Sequence, residues 1–439
     1  MFFMRHFQLS LPVQLLISAL LAWSGAQALL LLVDHGLADK SLLLSSDYYQ
    51  ILMLGKTVYL GLLKMVVGLM VLFSLVEGIT NIGSTVRLKA LGGRTLLFYS
   101  FTTLIAISLG LGASLALPAW EPLSQAISVG SDVRLIDEQG AGGAAILTNL
   151  VKMAMVNPFA ALANGNLLAI VVFSFMAGVA ILLSVPSGHP LLAVISGLNK
   201  SVNTMIRGIV KLSPIAIFAI VFDITLTSGG NLIQQLALFA LLVFVLTMVH
   251  GLVVLPTIAK VMTGISPVAL FKAISAPLAM AFATSSSAAA LPLAKQSAED
   301  NLDVSPEVSS MVLPLGSVMN MDGTALFEGV AAIFLAQLFG VDLSTTGLVM
   351  IFIMAMVSSV GAPGMPSGSM SGMQLVLLAA GIPLEAIAIL LVIERPLDTF
   401  RTAVNVEGDL VATLVIDRWQ KKQEGESSIY YQKPEPLIS

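Results

Sequence analysis

Stretches of about 20 or more predominantly apolar residues recur along nearly the whole of the 439-residue chain. Each is long enough for a helix to cross roughly 30 Å of hydrocarbon. In that solvent an unpaired backbone N–H or C=O is too costly to leave exposed, so such segments must close their hydrogen bonds internally as helices. Composition agrees: 57% of the residues are hydrophobic and 10% charged, with mean hydropathy +0.95, against about one quarter charged in an average soluble domain. Membrane lipid is therefore the expected surrounding, and nucleic acid is not an expected partner. The formal net charge of -4 identifies no partner by itself. Cysteine is absent, which excludes a disulfide framework and thiolate metal ligation. His6, His35, His189 and His250 lack metal-ligand spacing and read as loop or core residues.

Uninterrupted spans are expected over residues 11–32, 51–79 and 96–117, then a less regular one from Asn157-Pro158 to about 183, then 191–226 and 232–262. The first apolar stretch, 9–33, is too long for the core of a signal peptide and reads as a spanning helix. Arg87, Lys89 and Arg94 concentrate in the linker after the second span. The first linker has Lys40 alone, and the third has Arg134 among Asp132, Asp137 and Glu138. By the positive-inside rule the basic linker and the amino terminus, with Arg5, are cytoplasmic. Residues 418–439 read as a polar tail.

Beyond Ser266 small polar residues and Gly/Pro clusters interrupt the apolar runs. Residues 276–293 carry Ser285, Ser286 and Ser287 between apolar flanks of about ten residues, and residues 348–380 carry a Ser/Gly/Pro cluster at 358–368. A helix broken at membrane depth must be satisfied by protein or by a wet cavity, so both segments are expected to be re-entrant hairpins. Each is followed by a helix with a similar signature, Asn320-Met321-Asp322-Gly323 and then Asn405-Val406-Glu407-Gly408. Paired interrupted helices in the two halves of a repeat point to a transporter's binding site near the bilayer midplane.

The final helix, expected over 384–416, carries Glu394, Asp398, Arg401, Asn405 and Asp409 at spacings of four, three, four and four, which puts them on one face. A charge at the centre of a spanning helix costs about 2.5–3.5 kcal/mol on insertion scales, so this stripe should face a protein-lined cavity. A structural ion pair between Asp398 and Arg401 is the plainer reading. The functional one is that the arginine fork holds a carboxylate while Asp398 takes an ammonium, with Ser286 and Ser287 and the hairpin helix ends donating to a second carboxylate. Asp322, Asp409, Asn320 and Asn405, with carbonyls freed by the helix breaks, form an oxygen set suited to sodium; for Asp322 alone the alternative is a capped break. Glu328 lies one turn beyond Thr324 in an apolar stretch, where desolvation favours the neutral carboxyl. It is either a proton carrier or a hydrogen-bonded glutamic acid without a transport role. An anion pore lined by Arg395 and Arg401 is disfavoured by the interleaved carboxylates. Enzymatic chemistry is not expected, since Ser286 has no nearby base in its segment.

At residues 285–287, 313–324, 361–366 and 398–409 the chain resembles the dicarboxylate/amino acid:cation symporter family, the glutamate transporters and their archaeal aspartate-transporting relatives. The resemblance covers essentially the whole chain. It implies an all-α polytopic membrane protein with eight transmembrane helices, two re-entrant helical hairpins, inverted repeats, a homotrimeric assembly and an elevator-type mechanism. Residues 1–80 and 121–228 would form the scaffold. Residues 81–120, 229–265 and 266–417 would form the transport domain, and 418–439 a cytoplasmic tail. By matched position Asp398 would take the substrate amino group, Arg401 and Thr324 the side-chain carboxylate, and Asn405 and Ser287 the main-chain carboxylate; Ser286, Met365 and Thr402 complete the substrate set. One sodium would bind at Gly316, Asn320, Asn405 and Asp409. A second would bind at carbonyls of Val318, Ser359, Val360 and Ala362, and a third near Tyr99, Thr102, Thr103, Asn320 and Asp322. The resemblance implies an acidic amino acid, glutamate or aspartate, as substrate, because neutral amino acid carriers of the family lack the arginine and dicarboxylate carriers lack the aspartate. It also implies residence in a plasma membrane of bacterial inner-membrane type. Glu328 looks like the proton-carrying glutamate of the animal members, which brings H+ and K+ into view as coupling ions beside Na+. The chain departs from its relatives at Ser285 and Thr399, one of which is usually arginine, with Arg395 as the candidate substitute, and at Pro363, Ser367 and Ser369.

Overall fold

Every regular element is a helix among the residues described, which are 11–80, 92–122, 148, 151–228, 231–361, 369–382 and 386–423 of this computed structural model. The first spans are α1 (Leu11–Asp34), the short α2 (Lys40–Ser45), α3 (Asp47–Thr80) and α4 (Gly93–Ala116). The less regular span resolves into α5 (Pro158–Asn164) and α6 (Leu167–Ser184). Gly165 ends α5 in the left-handed region at φ 68°, and Asn157 and Asn166 cap the two helices with their side-chain oxygens. The run expected over 191–226 is not continuous. It is α7 (Pro190–Val210) and α8 (Ser213–Ser228), bent by 47° at the intervening break. Then come α9 (Asn231–Val249), a π-helical turn at His250–Val254, and α10 (Leu255–Thr263).

Both interrupted segments are helical hairpins. In the first, α11 (Pro267–Thr284) and α12 (Ser287–Asn301) pack against each other across a turn in which Ser285 is left-handed, φ 50°, and Ser286 caps α12 by accepting from the Ala289 N–H at 3.2 Å. Asn301 Nδ2 donates to the Ala273 carbonyl at 2.8 Å, so the open ends of the arms lie side by side. The arms are 18 and 15 residues long, longer than the flanks of about ten read from the sequence. The extra length lies beyond the apolar flanks, where Lys272, Lys295 and Glu299 occur. The second hairpin pairs α15 (Thr345–Gly361) with α16 (Ser369–Ala379); its tip, including Ala362, Pro363, Met365 and Ser367, lies outside the described residues. Each hairpin is followed by a long helical segment. The first precedes α13 (Pro306–Met319) and α14 (Asp322–Leu338), interrupted at Asn320-Met321, and the second precedes α17 (Ile387–Gln423).

Six helical stretches among the described residues are long and apolar enough to cross a membrane, and the bent pair α7/α8 makes a seventh. α17 fails that test because of its charged stripe, yet it is the post around which α9 to α14 pack. The stretch Pro306–Leu338 is 94% buried within the molecule, which marks α13/α14 as core rather than lipid-facing. α1, α3, α6, α7 and α8 form a second packing group, with α1 on α8 and α3 against α6, α7 and α8. α4 packs along α14 and is tied down at its end, where Trp120 N–H donates to Gln337 Oε1 at 3.0 Å and Glu121 N–H to Gln235 Oε1 at 2.9 Å. The expected polar tail from 418 begins as helix. Lys421 pairs with Asp417 at 2.9 Å and donates to the Asp303 carbonyl at 2.8 Å, extending α17 to Gln423.

Within the second group Lys56 Nζ lies 3.1 Å from Asp223 Oδ2, and Tyr49 donates its hydroxyl to the same carboxylate. Removing one partner strands the other charge away from bulk water. Lys56→Met is therefore expected to lower the thermal unfolding midpoint in detergent, by about 1 kcal/mol given the partial exposure of the pair. The double variant K56M/D223N should recover most of the loss, and an unchanged midpoint in Lys56→Met would contradict a clamp.

Candidate functional site

The stripe on α17 points inward along its whole length. Glu394, Asp398, Arg401, Asn405 and Asp409 are all buried, with Arg401 among the largest side chains completely withdrawn from solvent. Arg401 Nη2 lies 3.0 Å from Glu394 Oε1 and 3.2 Å from Asp398 Oδ1, and donates to Ser369 Oγ at 3.2 Å. Its guanidinium carbon sits 4.0 Å from the centroid of the Phe327 ring on α14, where the negative ring face meets the cation. Nε and Nη1 make no hydrogen bond among the described residues although both are buried. The expected Asp398–Arg401 pair is present, and Arg401 has a second carboxylate partner in Glu394.

The break between α13 and α14 is held open by α17. In a continuous helix the N–H of Gly323 would bond to the carbonyl of Met319, four residues back. It donates instead to Asn405 Oδ1 at 2.8 Å, while Asn405 Nδ2 donates to Thr324 Oγ1 at 3.3 Å. Gly323 is required here, because a Cβ would come within 3.0 Å of the Arg401 carbonyl oxygen. Ser287 and Thr402 are buried, with no hydrogen bond to these anchors among the described residues. Ser286 spends its oxygen on capping α12, and Met365 lies outside the described residues.

One turn further along α17 oxygen atoms converge. Asn320 Nδ2 donates to Asp409 Oδ1 at 3.0 Å. Gly316 faces the Asp409 carboxylate and the Tyr99 hydroxyl so closely that a Cβ would overlap both. Thr103 donates to Asp322 Oδ1 at 2.7 Å; Thr102 lies 3.3 Å from the same oxygen and 3.4 Å from Asn320 Oδ1. Tyr99 donates to the Val312 carbonyl at 2.8 Å. Asn320 thus sits between Asp409 with Gly316 on one side and Thr102 with Thr103 and Asp322 on the other, while Asn405 bonds Gly323 and Thr324 instead. Hard oxygen donors in a dehydrated cage are what a small monovalent cation needs, and no cluster of three or more His, Cys, Asp or Glu suited to a transition metal occurs among the described residues. Of the expected carbonyl set, Ser359 lines a cavity of about 210 Å³ with Tyr99, Thr103 and Met319. Val360 lies in the last turn of α15 and Ala362 outside the described residues. Val318 packs its side chain toward Gly78 of α3.

Glu328 is completely buried, and its Oε1 accepts from Ser358 Oγ at 2.8 Å while Oε2 has no hydrogen-bond partner among the described residues. Gly372 on α16 makes room for this bond, since a Cβ there would overlap both the serine hydroxyl and the carboxylate.

Several contributors escaped the sequence reading. His250, read as a core histidine, is indeed buried, but its Nε2 lies 3.1 Å from Asp322 Oδ2 and so fixes the carboxylate of the oxygen cluster from the side opposite Thr103. The available signal was an ionisable residue inside an apolar span, functional by default. Glu394 and Ser369 bind Arg401. The separation of seven residues puts Glu394 on the arginine's face and could have disclosed the pairing. Glu407 is buried beside Gly251 of the π-helical turn, where a Cβ would come within 2.7 Å of Val404 and 3.2 Å of Glu407 Oε2. A larger cavity of about 530 Å³, lined by Trp120, Gln235 and apolar residues of α9, contains none of the site residues.

The sequence profile described as Sodium:dicarboxylate symporter family matches residues 13–419. The chain is 30% identical over 385 residues to the proton/glutamate-aspartate symporter of Escherichia coli (strain K12), covering 86% of this chain and 87% of that protein. It is 29% identical over 384 residues to the proton/sodium-glutamate symport protein of Geobacillus stearothermophilus, covering 85% and 89%. It is 32% identical over 399 residues to the neutral amino acid transporter B(0) of Oryctolagus cuniculus, covering 84% and 74%. These relatives are transporters, with neutral as well as acidic substrates in their names, and the apolar helices make this protein a multi-pass component of the plasma membrane rather than an enzyme. A match over almost the entire length means that the chain belongs to the sodium:dicarboxylate symporter family.

Proposed function

We propose that this protein is a sodium-coupled symporter of an acidic amino acid, L-glutamate or L-aspartate. The observation that carries the reading is Arg401, completely buried, with Nε and Nη1 unpaired among the described residues and with Asp398 one turn away. Burying a guanidinium is expensive, and a well-packed apolar group would be at least as stable in its place. A carrier of neutral amino acids has no use for that charge, whereas a side-chain carboxylate meets a planar donor fork. A carrier of plain dicarboxylates has no ammonium for Asp398 to receive. Thr324 and Asn405, linked by their hydrogen bond, stand as the polar groups for the remaining carboxylate oxygens, with Ser286, Ser287, Thr402 and Met365 as further contacts.

Sodium is the coupling ion in this proposal, held at Asn320, Asn405, Asp409 and Gly316, at Tyr99, Thr102, Thr103 and Asp322, and at the carbonyls of Val318, Ser359, Val360 and Ala362. Coupling follows from shared residues. Asn405 holds the helix break from which backbone oxygens are freed and also bonds Thr324 of the substrate set. Ordering the break around a cation therefore orders part of the substrate site, and by linkage the substrate raises cation affinity equally. Glu328 carries a proton as a second coupling ion, a reading supported by its burial beside Arg401's platform residue Phe327 and by the proton in the names of the two bacterial relatives. The packing group α1, α3, α6, α7 and α8 corresponds to the proposed scaffold, through which three copies would assemble while the remainder moves as the elevator.

Three outcomes test these roles. Arg401→Cys should weaken L-aspartate and L-glutamate binding by about 100-fold or more, the worth of two charge-assisted hydrogen bonds, and admit neutral amino acids; undiminished acidic uptake would overturn the substrate reading. Asp409→Asn should raise the sodium concentration for half-maximal substrate binding about ten-fold, and an unaltered sodium requirement would remove it from the ligands. Glu328→Gln retains an oxygen for the Ser358 hydroxyl but no titratable proton. Uptake in proteoliposomes should lose its dependence on pH, and a wild-type pH profile would reject the proton role.

A further inference from the structure

Two carboxylates converge on a single nitrogen of Arg401. Nη2 lies 3.0 Å from Glu394 Oε1 and 3.2 Å from Asp398 Oδ1. Ser369 Oγ joins them, accepting from Nη2 at 3.2 Å and donating to Glu394 Oε1 at 3.2 Å. All four side chains are more than nine-tenths buried. A guanidinium faced by two carboxylates has one more acidic partner than it needs for compensation. Had Asp398 alone faced Arg401, the two would neutralise each other, and an incoming ammonium would have to strip the arginine of its only partner. With Glu394 and Ser369 already on Nη2, Asp398 can turn to an ammonium while Arg401 remains compensated.

We propose that Glu394, braced by Ser369, is the resident counter-charge of Arg401 and thereby frees Asp398 to receive the substrate's amino group, making Glu394 a positioning residue that separates amino acids from dicarboxylates lacking an amine. This inference rests on the substrate reading given above. Neither Glu394 nor Ser369 touches the substrate in this scheme; both act through Arg401.

The test compares L-aspartate with succinate, which has both carboxylates but no amine, in sodium-dependent binding to the purified full-length protein, succinate being measured by competition. In Glu394→Gln the ratio of the succinate to the L-aspartate dissociation constant should fall by about ten-fold or more, because Asp398 becomes the arginine's sole counter-charge and the amine loses its receptor. Glu394→Asp, which keeps the charge, should hold the ratio within about three-fold of wild type. An unchanged ratio in Glu394→Gln, or equal weakening of both ligands, overturns the proposal. If Glu394→Gln is not recovered from membranes, R401C/E394Q decides. Its recovery is expected, since no guanidinium remains to be compensated, and its loss would make Glu394 a packing element independent of Arg401 and overturn the proposal. Wild-type protein that fails to bind L-aspartate in sodium would sink the substrate reading itself, whereas wild-type binding with an unmoved ratio in Glu394→Gln sinks this inference alone.

Discussion

A guanidinium with no exposed surface, stacked on an aromatic ring and facing two carboxylates, is the interaction on which the rest of this molecule depends. Placing Arg401 at membrane depth requires that α17 be shielded from lipid on every side, which is why a helix too charged to pass as a membrane span stands at the centre of the packing. The hairpins follow from the same requirement. Both arms of the first hairpin pack on α17, and its turn places the capped start of α12 and the buried hydroxyls of Ser285 and Ser287 within the helical assembly.

The break at Asn320-Met321 is the second constraint. It would leave backbone groups stranded were Asn405 not supplying an acceptor to Gly323 and a donor to Thr324. The same opening brings Asn320 to Asp409 and Asp322 to Thr102, Thr103 and His250. Charged and neutral oxygens thus gather within one turn of the amino acid anchors. In the proposed function cation and substrate would share these walls, so the affinity of one would depend on the presence of the other without any long-range relay.

Much of this was legible in the sequence, for definite reasons. The inward stripe on the last helix was readable because spacings of three and four fix a helical face, and all five residues are buried as expected. The hairpins were legible because a Ser/Gly/Pro cluster inside an apolar run has few other meanings at membrane depth. The lengths of the first hairpin's arms were not, because those arms run past the apolar flanks into stretches carrying Lys272, Lys295 and Glu299. The break in α7/α8 falls at Lys211-Leu212-Ser213-Pro214, a charge and a proline that the expected continuous span did not take into account. Partnerships across sequence were invisible: His250 with Asp322, Ser358 with Glu328, and Ser369 with Arg401 each join separate elements. Glu394 stood in plain view on the stripe, but its part as the arginine's second carboxylate emerged only from distances.

The central claim is that the buried charges exist to hold an amino acid with an extra carboxylate, in company with sodium. Calorimetric titration of the purified protein with L-aspartate, L-glutamate and L-serine, in sodium and in choline buffers, tests this most directly. The account predicts saturable binding of an acidic amino acid in sodium, its disappearance in choline, and far weaker binding of L-serine. L-serine binding as tightly as L-aspartate, or acidic amino acid binding indifferent to sodium, would contradict it.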